Sequence, residues 1–134
     1  MRARAEYRKA IGHLQDAEIL AKRGDTPNPC AHAAYYAMYH AACAVLLITG
    51  GVDKRGDLPD NHRDIVLHYG GRVAKEATPM AESGAILNNA LNDRMIADYV
   101  LDSAVPDSAA KDLTKKARQF VDGIAQRWER LTKT

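Results

Sequence analysis

An all-α, up-and-down helical bundle of four long helices plus one short helix is the fold this sequence predicts, and three observations predict it. Apolar residues recur every three to four positions in five segments, and no alternating strand pattern competes with them. One twenty-residue run, Cys30 to Thr49, contains no Asp, Glu, Lys or Arg and seven alanines, as a helix surrounded by other helices requires. The chain is 134 residues long, 46% hydrophobic and 27% charged, which suits a single domain over residues 1–134 with one core. With 19 basic against 17 acidic side chains, it lacks the charge excess of a non-specific nucleic-acid binder.

The first helix spans Arg2 to Arg23. Tyr7, Ile11, Leu14, Ala17 and Leu20 form its apolar stripe, Glu18 and Lys22 pair four apart, and Gly24 stops it. The second begins after Pro27-Asn28-Pro29 and ends at Thr49-Gly50-Gly51; apolar or small almost all round, it is the expected central helix. The run is also long enough to cross a bilayer, but His32, Tyr35, Tyr36, Tyr39 and His40 within it suit a buried helix with polar ends better than lipid.

After a polar loop from Val52 to Leu58, Pro59-Asp60-Asn61 starts a short third helix carrying Ile65, Val66 and Tyr69, which Gly70-Gly71 interrupts. Thr78-Pro79 reads as the start of a fourth helix with Met80, Leu87, Ala90 and Leu91 facing inward, leading into Arg94 to Tyr99. Beyond an irregular stretch at Asp102 to Pro106 the last helix has the cleanest period in the chain, from Leu113 through Ala117, Phe120, Val121, Ile124 and Trp128 to Leu131.

Function classes fall away by absence of their motifs. The sequence has no glycine-rich phosphate loop, no Ser or Cys nucleophile motif and no HExxH, so P-loop, Rossmann and metal-hydrolase readings are excluded. Cys30 and Cys43 read as small buried hydrophobes in a reducing, cytoplasmic setting. His32 and His40 lie eight apart, about 80° round a helix axis, so they are no compact ligand pair and no metal or cofactor is expected; they read as histidines bonded to neighbours. The tyrosines beside them read as packing, ahead of a base-stacking platform. Arg94 and Asp98 share a helical face at ion-pair spacing, while Tyr99 is about 140° from Arg94, an offset that lets the two act together at a helix end or across a twofold axis.

The stretch AHAAYYAMYHAACAVLLITG, followed by LNDRMIADY and a helix ending ARQFVDGI, resembles the small single-domain prokaryotic HEPN proteins, which carry an AYYAxFHAA-like helix and an R-x-x-A-D-Y element. The resemblance covers nearly the whole chain. It implies a helical bundle that dimerises and, in many members, a metal-independent ribonuclease whose arginine and following histidine come together from two protomers. Carried onto this sequence, the arginine is Arg94 and Tyr99 stands in the histidine's place, with Asp98 beside it. A tyrosine is poorly matched to proton transfer at neutral pH, whereas Arg94 keeps the charge and donor fork a phosphate contact needs. The tyrosine that receives AMP from a partner nucleotidyltransferase in some members is also missing, since position 101 is Leu101.

Arg55 with His62, and Arg63 with His68, repeat the bare arginine-histidine spacing away from the family's site. Of these, His62 is the candidate to supply the missing imidazole near Arg94. The expectation is therefore a cytoplasmic homodimer, not bound to membrane or metal, that takes RNA or a nucleotide at Arg94, Asp98 and Tyr99. The resemblance adds a nucleotidyltransferase partner in a toxin-antitoxin or defence module. The competing expectation is a non-catalytic helical adaptor.

Overall fold

In the computed structural model of the chain, residues 2–76, 80–99 and 105–132 are described, with the side chains of all of these but 94–99. Six helices follow in order, α1 (Arg2–Arg23), α2 (Pro27–Thr49), α3 (His62–Val73), α4 (Met80–Tyr99), α5 (Asp107–Gln126) and α6 (Trp128–Thr132), and no strand occurs among the described residues.

Helix α2 is the axis of the bundle, and every other helix packs against it. Its buried residues run from Cys30 through Ala34, Tyr35, Ala37 and Met38 to an unbroken stretch at Ala41–Leu46, and the alanines let α1 and α5 approach closely. By length and composition α2 could span a membrane, yet its apolar sides face the other five helices. It starts three residues earlier than the sequence suggests, because Pro27 and Pro29 fall in the first turn, where the missing N–H has no helical partner to lose. It ends at Gly50, whose φ of +78° is the left-handed cap that glycine adopts without strain.

Helix α1 buries Ala3, Ala10, Leu14 and Ala17 on one stripe. Glu18 does not serve Lys22 as its spacing suggests; it reaches across to α5, where it accepts a hydrogen bond from Arg118 Nε at 3.0 Å. The bidentate fork of a guanidinium outcompetes a neighbouring ammonium for a carboxylate.

Two further element boundaries differ from expectation. Asn61 caps α3, its side chain accepting from the Asp64 N–H at 2.9 Å, but the helix then runs straight through Gly70-Gly71 to Val73. Gly70 is a crossing point instead of a stop: a Cβ placed on Gly84 of α4 would lie 2.9 Å from the Gly70 Cα. Helix α4 therefore rests against α3 backbone to backbone. We expect Gly84→Ala to lower stability by about 1–3 kcal/mol in urea unfolding despite alanine's better helix propensity, because the helices must move apart to admit the methyl.

The second difference is at the C-terminus, where the last periodic segment is two helices. The chain leaves α-geometry at Arg127, with φ of −104° and ψ of 6°. This turn lays Trp128 edge-on against Tyr7, with ring centroids 5.3 Å apart, and buries Leu131. Tyr7 is tied to α5 as well, donating to the Val121 carbonyl at 2.9 Å. Both cysteines are free and buried, Cys30 with its Sγ 3.3 Å from Thr114 Oγ1.

Candidate functional site

The R-x-x-A-D-Y element occupies the last two turns of α4, and the side chains of Arg94, Asp98 and Tyr99 lie outside the described residues. What surrounds the preceding turns of that helix is described. A cavity of about 380 Å³ opens between the start of α2, the second half of α4 and the first half of α5. Pro29, Ala31, Ala90, Val105, Ala109 and Leu113 give it apolar walls. Its polar groups are Asn28, His32, Asp93, Asp112 and Lys116. Small-molecule sites have this size and this mixture of apolar wall with a few polar groups.

Several of these groups are already committed. Asn28 Oδ1 accepts the Val105 N–H at 2.8 Å, and Lys116 is ion-paired with Asp112 at 3.1 Å. His32 stacks on Tyr36, with ring centroids 5.0 Å apart. Asp93, one residue before Arg94, makes no hydrogen bond or ion pair among the described residues.

The side chain of Arg94 lies outside the described residues, and so does any pairing of it with His62. His62 begins α3, its Nδ1 lies 2.9 Å from the Tyr35 hydroxyl, and its ring stacks on Tyr39 at 4.1 Å. The imidazole that lines the cavity beside α4 is His32, which sequence reasoning treated as an ordinary packed histidine. Nothing local distinguishes it; only the docking of α2's first turns against α4 gives it this place. The second decoy, His68, is exposed on α3.

Behind His32 a continuous array of rings runs down α2 and across to α1 and α3. Tyr36 lies at its centre, touching His13, His32, Tyr35, Tyr39, His40 and His62. Tyr35 is buried while Tyr36 and Tyr39 are partly exposed, as packing with hydroxyls at the edge implies; neighbouring rings surround them and the array packs against itself. His40 is held by Glu6 of α1, Nδ1 to Oε2 at 2.6 Å, as the bonded-histidine reading requires. Burial, together with the nearby Cys43 thiol, raises the Tyr39 hydroxyl well above the usual phenol range; burial and the Glu6 charge push Cys43 up to about 12. At neutral pH neither group is ionised, so neither acts as a nucleophile or base. Among the described residues no group of three or more His, Cys, Asp or Glu is arranged to hold a metal.

His13 stacks flat on His40, the ring planes 4° apart, and its pKa is lowered from 6.5 by burial and by the His40 ring, against a smaller opposing pull from Asp16. A histidine with a depressed folded pKa stabilises the fold in full above its unfolded value, and this contribution is lost as pH falls through the folded one. The cluster is thus expected to lose stability on acidification below pH 6.5. The drop in urea midpoint between pH 7.5 and pH 5.5 should be smaller in His13→Asn than in the unmodified chain.

The profile of the HEPN domain matches residues 3–128, from the first turn of α1 to the start of α6. No curated protein sequence matches the chain. The matched region covers most of the chain, α2 and α4 included, and the chain belongs to the HEPN domain family.

Proposed function

We propose that this chain is a HEPN-type RNA- or nucleotide-binding protein that works as a homodimer in the cytoplasm. In this reading it is one half of a toxin-antitoxin or defence module with a nucleotidyltransferase. The observation that supports it is the cavity bounded by His32, Asp93 and Lys116 in the turns of α4 that lead into Arg94. A cleft of nucleotide size offers an apolar slot for a base, and in this reading Arg94 supplies the fork for the phosphate. The test is fluorescence anisotropy with a labelled single-stranded RNA, alongside light scattering. Affinity that falls with added salt and a particle of twice the 14.7 kDa chain mass support the reading. A monomer at high micromolar concentration with no RNA affinity rejects it.

Tyr99 in place of histidine favours a second reading, a non-catalytic adaptor. The two differ in the outcome of Tyr99→His, which supplies a side chain able to exchange protons near neutral pH. A site that binds RNA and lacks only the proton carrier should gain cleavage that is insensitive to EDTA and lost again on adding Arg94→Ala. A folded, dimeric Tyr99→His protein that leaves RNA intact places the adaptor first.

A further inference from the structure

We propose that the cavity between α2, α4 and α5 is a base pocket that selects guanine through the Asp93 carboxylate. The proposal rests on the RNA- or nucleotide-binding reading and adds to it which base is taken and which residue reads it.

Three observations point the same way. First, the walls are apolar, from Pro29, Ala90, Val105 and Leu113, and the His32 ring adds a flat aromatic element, so the volume of about 380 Å³ suits a flat heterocycle with its sugar at the opening. Second, the charge is wrong for phosphate inside. Asp93 and Asp112 both line the cavity, and its one lysine, Lys116, is already paired with Asp112. The phosphate therefore stays outside and the base enters. Third, the other acceptor groups on the walls are engaged, Asn28 by the Val105 N–H and Asp112 by Lys116, while His32 takes part through its ring, which stacks on Tyr36. Asp93 alone has no partner among the described residues and offers two acceptor oxygens and no donor.

A carboxylate reads a base edge that presents two parallel donors. Guanine presents N1–H and the N2 amino group side by side on its Watson–Crick edge; adenine presents only its N6 amino group beside the N1 acceptor, and uracil one donor between two acceptors. Of the common bases, guanine is the one that satisfies both oxygens of Asp93. Arg94, the next residue along α4, supplies the cation for the phosphate in the same reading.

The experiment is isothermal titration of the dimeric protein with guanosine, inosine and adenosine 5′-monophosphates, followed by single-stranded oligo(G)-containing and oligo(A) RNA. Guanosine monophosphate should bind about tenfold tighter than inosine monophosphate, which lacks the N2 amino group, and tighter again than adenosine monophosphate. Asp93→Asn should remove this preference, since the amide replaces one acceptor by a donor and matches adenine's N6 amino group and N1 acceptor better than guanine's two donors. Equal affinity for the three nucleotides, or a preference that survives Asp93→Asn, overturns the base assignment, and the binding reading stands if RNA still binds. Absence of binding to any nucleotide or RNA overturns both. N-acetylarginine amide, whose guanidinium offers the same pair of parallel donors, is the control for a protein partner. Binding of this probe without binding of guanosine monophosphate overturns the proposal in favour of an arginine side chain from another chain.

Discussion

Arg94→Ala is expected to weaken binding of single-stranded RNA by about ten- to a hundredfold with the helical content unchanged. The estimate follows from the cost of losing charge-assisted hydrogen bonds to a phosphate, about 1.5–3 kcal/mol. Arg94→Lys should fall between the two, keeping the charge and losing the fork. A salt titration separates a phosphate contact from a general loss of folding: removing one contact should reduce the slope of log K against log salt by about 0.7 for a single strand. An affinity unaltered by Arg94→Ala would remove Arg94 from the site.

The largest effect on stability is expected at Tyr35. Its side chain is fully buried at the centre of the bundle, and its hydroxyl meets His62 Nδ1 at 2.9 Å, joining α2 to the first residue of α3. Truncating a buried aromatic to alanine costs about 3–5 kcal/mol, a large share of the 5–15 kcal/mol by which a domain of this kind is stable. Tyr35→Phe keeps the ring and should cost about 1 kcal/mol, since the half-exposed His62 recovers part of its bonding from water. Urea unfolding of the two variants measures both. A loss in Tyr35→Phe as large as in Tyr35→Ala would mean that the hydroxyl, and not the packing, anchors this end of α3.

The helices were legible where the signal is local. The stripe of α1, the charge-free run of α2 and the period of α5 each follow from spacing alone, and the caps at Asn61 and Gly50 follow from side-chain chemistry and φ. The errors arose where a residue answers to a distant partner. Gly70-Gly71 looks like a helix stop until Gly84 is set against it, and Glu18 looks paired with Lys22 until Arg118 arrives from α5. Arg127 breaks the last helix, and the turn it makes brings Trp128 onto Tyr7.

The site divides the same way. Arg94, Asp98 and Tyr99 stand out because they form one short element in sequence, whereas His32 and Asp93 are sixty-one positions apart and share a cavity only through the packing of α2 against α4. Among the described residues His62 packs with Tyr35, Tyr36 and Tyr39.

The central claim, that RNA is held where α2, α4 and α5 meet, is tested most directly by photocrosslinking. A single-stranded RNA carrying 4-thiouridine next to its guanosines is irradiated with the purified protein, and the attached peptides are identified by mass spectrometry. The account predicts crosslinks in the peptides that contain His32 and the Asp93-to-Tyr99 end of α4, lost on addition of Arg94→Ala. Crosslinks confined to the charged outer face of α5, around Lys115, or absent altogether, would contradict it.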